Sequence, residues 1–113
     1  MLRDPIPPGT LDMVILKTLS RCREMHGFEI ANAIYQTSEN IFQVEEGSLY
    51  PALQRLLVKG WIIGEWGRTT GNRRARYYRL TSSGRKQLAS EIDAYRRVSG
   101  AIGRILEPRR EPA

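Results

Sequence analysis

This chain of 113 residues holds one cysteine, one histidine and two phenylalanines. Each shortage removes a class of answer. Cys22 alone excludes an intrachain disulfide, in keeping with a reducing compartment. Cys22 and His26 are too few to build a metal centre without several carboxylates, and no spaced nucleophile-and-base motif occurs. An enzyme is therefore not expected, nor a cofactor. No apolar run approaches the length of a membrane span, and the N-terminus lacks a charged segment followed by an apolar stretch and a cleavage site. No membrane partner is expected, and the chain is read as cytoplasmic. With 41% hydrophobic residues it suits one small domain with a modest core, which a partner subunit would help to complete.

Acidic residues are also in short supply, 12 against 18 Lys and Arg, for a net charge of +6 and an isoelectric point near 10.0. A basic total suits an anionic partner or plain solubility, so its distribution decides more. Between residues 61 and 80, Arg68, Arg73, Arg74, Arg76 and Arg79 face Glu65 alone. Such focusing favours phosphate contact.

The stretch from Val44 to Trp61 reads as one short helix with two different faces. Leu49, Leu53, Leu56 and Leu57 recur at helical spacing, while Ser48, Pro51, Gln54 and Arg55, with Tyr50 at the edge, fall on the other side. Ser48 is the expected N-cap, Pro51 is tolerated if it lies in the first turn, and Gly60 is the expected stop. A helix of about three turns fits the DNA major groove, where Gln pairs bidentately with adenine and Arg with guanine. From this stretch alone an amphipathic core helix with a solvated face reads equally well. The flanks decide between them.

Residues 1–9, with three prolines and a glycine, read as an irregular arm. Thr10 is the expected cap of a first helix that lines Leu11, Val14, Ile15, Thr18 and Leu19 along one face and ends by Arg21. After a polar, interrupted segment from Arg21 to Met25, a second helix is expected from His26 or Gly27 to Thr37, burying Ile30, Ala31 and Ile34. His26 is read as starting that helix and donating to backbone or phosphate. Ser38 to Asn40 is turn-like, and Ile41 to Val44 suits a short extended piece. Two short helices followed by a third make a helix-turn-helix candidate.

Beyond Gly60, residues 61–66 and 75–80 are rich in aromatic and β-branched residues, and residues 67–74 between them form a loose tip. This is a hairpin, with Ile62, Trp66, Tyr78 and Leu80 facing the core and arginines at the tip and outer face. Placed after a recognition helix, it is a wing; the competing reading is a solvated hairpin whose charges repel misplaced edge pairing. Tyr77 and Tyr78 suit a core strand better than a base-stacking platform. The Gly64 to Gly67 spacing has no following helix and carries no phosphate-loop meaning.

From Thr81 or Ser82, the expected cap, a long helix follows with no proline until Pro108. Leu88, Ile92, Tyr95, Ser99, Ile102 and Leu106 alternate in steps of four and three, the spacing of a seam between helices. A short domain has little core to cover so long a stripe, which implies a homodimer through this helix, with the first helix contributing, unless the stripe folds back on its own subunit. Cys22 beside Arg21 and Arg23 suggests a lowered thiol pKa, yet without a second thiol it is read as structural rather than as a redox sensor.

Taken together, GTLDMVILKTLS, MHGFEIANAI, VEEGSLYPALQRL, GWI with EWG, and NRRARYYRLTSSGRKQL make the chain from Pro8 to Leu106 resemble the PadR-like winged-helix transcriptional regulators, of the smaller kind with a single C-terminal helix. It departs from that pattern at Cys22, Arg23 and Glu24, where a small residue and a proline are common, and at Phe28, which replaces a frequent tyrosine. The resemblance implies an α+β fold, mainly helical with a small β-hairpin: an arm (1–9), a winged helix-turn-helix domain (10–80), a dimerisation helix (81–107) and a tail (108–113) expected to be disordered. It further implies a dimeric repressor on double-stranded DNA, at an inverted-repeat operator, with a small-molecule effector of unknown identity. DNA contact then falls to Ser48, Tyr50, Pro51, Gln54 and Arg55 on the third helix and to Arg68, Asn72, Arg73, Arg74 and Arg76 on the wing. Dimerisation falls to Leu88, Ile92, Tyr95, Ser99, Ile102 and Leu106. The alternatives are a dimeric protein-interaction module recruiting a partner through the basic wing, or a non-specific nucleic-acid binder.

Overall fold

The computed structural model describes residues 6–7 and 9–108, so most of the expected arm and tail lies outside the described residues. Four helices and a three-stranded antiparallel sheet follow one another as α1 (Leu11–Ser20), β1 (Met25–His26), α2 (Gly27–Thr37), α3 (Glu46–Val58), β2 (Ile62–Arg68), β3 (Arg74–Leu80) and α4 (Ser82–Leu106). The α+β expectation holds.

The periodic apolar residues of the helices converge on one core. Ile15, Leu16 and Leu19 from α1 meet Ile30 and Ile34 from α2 and Leu49, Ala52, Leu53 and Leu56 from α3, closed by Ile62, Tyr78 and Leu88. Ala31 and Leu57, expected inside, are only partly buried at its margin. Thr10 occupies the cap position of α1 without capping it, because its hydroxyl donates to the Pro7 carbonyl at 2.6 Å.

The segment before α2 departs from expectation. Met25 and His26 form β1, pairing with Tyr78 and Tyr77 of β3, so the sheet order is β1-β3-β2. His26 ends this strand and caps α2, but as an acceptor: Glu29 N–H donates to His26 Nδ1 at 3.4 Å while His26 N–H donates to the Glu29 carboxylate at 3.1 Å. This reciprocal box satisfies two backbone donors that the helix itself leaves unpaired. After α2, Glu39 and Asn40 both take left-handed backbone angles, which turns the chain toward α3.

The start of α3 also corrects the sequence reading. Glu45, not Ser48, holds the cap position, with no side-chain cap. Helix geometry begins two residues before Ser48, and the Ser48 and Leu49 amides already donate to the Glu45 carbonyl. Pro51 therefore lies beyond the first turn and has no N–H to offer the Gly47 carbonyl four residues earlier. The helix ends as expected at Gly60, whose φ of +75° permits a closing pair in which Trp61 N–H donates to the Leu56 carbonyl and Gly60 N–H to that of Leu57.

Thr81 caps α4 by accepting from Gly84 N–H at 3.0 Å, and its hydroxyl donates to the Gly60 carbonyl at 2.8 Å. One threonine thus ties the end of α3 to the start of α4. Leu88 buries in the core and Ile92 packs against it, whereas Tyr95, Val98, Ile102, Ile105 and Leu106 are exposed. The stripe runs beyond anything its own subunit supplies. Among the described residues no helix is long and apolar enough to cross a membrane.

Candidate nucleic-acid interface

With its apolar stripe buried, α3 turns Gly47, Pro51 and Gln54 outward at the centre of its opposite face, one helical repeat apart. Their neighbours are tied sideways. Tyr50 leans toward α2, where a Cβ on Gly27 would stand 2.7 Å from the Tyr50 hydroxyl oxygen; only glycine lets the ring lie there. On the other flank Arg55 donates to the Asp12 carboxylate of α1 at 2.8 Å. Ser48 is exposed on the Arg55 side of the same face.

The hairpin is built on a strict register, Ile62 opposite Leu80, Gly64 opposite Tyr78, Trp66 opposite Arg76 and Arg68 opposite Arg74. Residues paired directly across an antiparallel ladder share a face, so these eight form one surface. Alternation was read correctly, but the core ends at Tyr78. Trp66, expected inside, stands 58% exposed beyond it, and Arg74 and Arg76 continue the core-side face instead of the outer one. Arg79 lies on the reverse face with Ile63.

Beyond the core, aromatic rings take over from packing. The Arg74 guanidinium carbon sits 4.3 Å from the centre of the Trp66 ring, and that of Arg76 lies 5.9 Å from Trp66 and 6.0 Å from Tyr78. Arg76 crosses Gly64 closely enough that a Cβ there would fall 2.5 Å from its Nε, and this Nε is buried without a hydrogen-bond partner. The tip is closed by its own backbone: Thr69 N–H donates to the Arg73 carbonyl and Asn72 N–H to that of Thr69, both at 2.8 Å, with Asn72 at a φ of 62°. Arg68 donates to the Asn72 carbonyl at 3.2 Å, and the Tyr77 hydroxyl donates to the Arg68 carbonyl at 3.1 Å. Among the described residues no ion pair holds Arg68, Arg73, Arg74 or Arg76.

Between wing and helices opens a cavity of about 660 Å³, lined by His26, Gly27 and Phe28 at the start of α2, Glu46 and Tyr50 of α3, and Trp66, Arg73, Arg74 and Arg76 of the hairpin. Phe28 is exposed at its rim. The fold therefore brings Tyr50 to the same cleft as Arg73, Arg74 and Arg76, leaves Pro51 and Gln54 on the adjoining face, and draws Arg55 to the far side. A second, largely apolar groove of about 450 Å³ runs between α1, α2 and α4, with Met13, Val14, Ile34, Phe42, Ile92 and Tyr95 among its walls. Among the seam residues, Leu88 belongs to the core, Ile92 and Ser99 are half-buried, and Tyr95, Ile102 and Leu106 are exposed.

Cys22 differs from expectation. Burial pushes its thiol pKa up, with Glu29 and Glu24 acting in the same direction against a hydrogen bond to the Glu24 carbonyl. The flanking arginines do not make it a thiolate. The β1 strand, the Asp12 to Arg55 tie and the Trp66 platform left no local signal. The Gly27 and Gly64 positions were visible only as glycines without a partner to explain them.

The fold and this pairing of helix with basic hairpin recur in known proteins. The PadR-like transcriptional regulator family model matches residues 15–90. An uncharacterized protein from Lysinibacillus sphaericus is 32% identical over 95% of this chain and 97% of its own length. Among solved structures, a transcriptional regulator from Clostridium thermocellum superposes with a TM-score of 0.79 at 27% identity, covering 88% of this chain and 95% of that one. A PadR-like transcriptional regulator from Bacillus cereus gives 0.75 at 27% identity, covering 89% and 95%. With helix, wing and long terminal helix in the same order, the chain belongs to the PadR-like family of winged-helix transcriptional regulators.

Proposed function

We propose that this chain is a sequence-specific DNA-binding repressor that works as a homodimer in the cytoplasm. The observation that carries the reading is the cleft in which Arg73, Arg74 and Arg76 stand beside the exposed face of α3 with no carboxylate pairing them. A duplex supplies both needs: base edges for a helix lying in the major groove and phosphates for the guanidiniums beside it. Base readout is assigned to Gln54 with Pro51, and Ser48 and Tyr50 contact the backbone. Arg55, held by Asp12, is assigned to anchoring α3 on α1 ahead of contacting a base. On the wing, Arg73, Arg74 and Arg76 neutralise phosphate, while Arg68 and Asn72 shape the tip that presents them.

A second copy covers the exposed part of α4. Ala94, Val98, Ala101 and Ile105 form a second row at heptad spacing beside the Leu88 to Leu106 seam, so α4 has two apolar flanks to bury and needs more than one neighbouring helix. A twofold dimer sets two recognition helices on an inverted repeat, with half-site centres about 34–36 Å apart or a multiple of it.

The test compares a duplex from upstream of the chain's own gene with a scrambled duplex of equal length over a series of salt concentrations. Gln54→Ala is expected to cost roughly 1–3 kcal/mol on the first and little on the second. Arg74→Ala is expected to weaken both and lower the salt slope by about 1. Equal losses on both duplexes from every variant would leave a non-specific binder. No binding to either duplex favours a protein-interaction module.

A further inference from the structure

Trp66 has no place in the core and no counterpart in the base-reading face, yet it stands at the centre of the wing's charge. More than half of its surface is exposed on the strand face shared with Arg68, Arg74 and Arg76. Arg68 lies directly opposite Arg74 in the ladder, and like charges in that position destabilise a sheet. Nothing inside the chain neutralises them, since Glu65 lies on the reverse face opposite Tyr77. Left to solvent, such guanidiniums disperse over many rotamers and lose that freedom on each phosphate contact.

The Trp66 ring removes part of that freedom before DNA arrives. Its π-face attracts a cation within about 6 Å, and it has Arg74 at 4.3 Å and Arg76 at 5.9 Å. Gly64 clears the path for Arg76, whose buried Nε shows that the side chain lies down on the sheet. A guanidinium stacked by its flat face keeps its edge donors available for phosphate. We infer that Trp66 is a positioning residue of the wing, holding the Arg74 and Arg76 guanidiniums over the cleft so that they meet a DNA backbone already oriented. This inference rests on the proposed DNA-binding function, and assigns Trp66 a role through the arginines, with no base contact of its own.

The test uses a neutral-for-neutral change in the full chain. Trp66→Leu removes the ring without altering charge, and Trp66→Phe keeps an aromatic face. On the scrambled duplex, Trp66→Leu is expected to weaken binding roughly three- to ten-fold, the range of one cation–π contact. The salt slope should fall by about 1, as if a charge had been lost. Trp66→Phe should keep most of the affinity and the slope. In the Trp66→Leu background, Arg74→Ala should cause little further loss. Without DNA, the Arg74 side-chain N–H resonance should lose its ring-current shift in Trp66→Leu and keep it in Trp66→Phe. A thermal melt confirms that both variants fold. An unchanged salt slope in a folded Trp66→Leu chain, or additive losses with Arg74→Ala, overturns the inference while the unmodified chain still binds. Failure of the unmodified chain to bind any duplex overturns the proposed function as well.

Discussion

Ile102→Asp is the cleanest probe of the proposed dimer. Ile92 lies on the same seam but packs against its own subunit's core, so a charge there confuses unfolding with dissociation. Ile102 lies on the projecting half of α4 and is 51% exposed, between Val98 at 59% and Leu106 at 76%. Full burial of such a side chain is worth about 1.5–3 kcal/mol, so covering the exposed half of Ile102 contributes about 1 kcal/mol per copy. Twofold symmetry doubles this to about 2 kcal/mol. A buried, unpaired carboxylate adds a penalty of several kcal/mol unless it protonates. A total loss of about 4 kcal/mol or more raises the dimer dissociation constant about a thousandfold, enough to move a nanomolar dimer to micromolar. Light scattering across a micromolar dilution series should therefore show dimer for the unmodified chain and monomer for Ile102→Asp, with Ile102→Val remaining dimeric. Far-ultraviolet circular dichroism should show little loss of helix, because the substituted position lies outside the subunit core. A dimer that survives Ile102→Asp, or an unmodified chain that is monomeric at micromolar concentration, refutes the reasoning.

Two glycines are expected to respond in opposite ways. A Cβ on Gly84 would fall 2.0 Å from the Trp61 carbonyl oxygen, a backbone atom with nowhere to move, so Gly84→Ala should destabilise by at least about 1–3 kcal/mol, the usual cost of overpacking. That lowers the melting temperature by about 4–8 °C for each kcal/mol. Gly47 faces open space on α3, so Gly47→Ala should stabilise the free chain by about 0.5–1 kcal/mol and weaken operator binding; tighter binding would remove Gly47 from the reading face. Because burial raises the Cys22 pKa, the thiol stays protonated at neutral pH, and its alkylation rate should climb only above the ordinary thiol range. Rapid labelling at pH 7, or peroxide-induced loss of DNA binding that Cys22→Ser prevents, reverses the structural reading of this residue.

The helices of this protein were legible because each carries its own period and punctuation. Leu49, Leu53 and Leu56 mark the buried side of α3 wherever it packs, Gly60 stops it through a backbone angle that suits glycine, and Thr81 starts α4 through a hydroxyl three residues from the amide it accepts. The candidate interface was legible to the same extent. Five arginines against one acid within residues 61–80 announce an anionic partner whatever the tertiary structure does with them.

What the residues could not announce was decided by partners far along the chain. Met25 and His26 became a strand because β3 offered an open edge, a pairing across more than fifty residues that two residues cannot encode locally. Ser48 had the chemistry of a cap and lost the place to Glu45, because the turn after α2 delivers the chain into helix two residues early. Arg55 is claimed by Asp12, 43 residues away, and so is drawn from the face that its helical position suggested. Trp66 shows the division most plainly. Alternation put it correctly on the core-side face of β2, but only the packed structure sets where the core ends, and past that limit the same face carries arginines on an aromatic ring. Local propensity and period determine an element's kind and its faces; what each face meets is determined by the length of the neighbouring elements and the register between them.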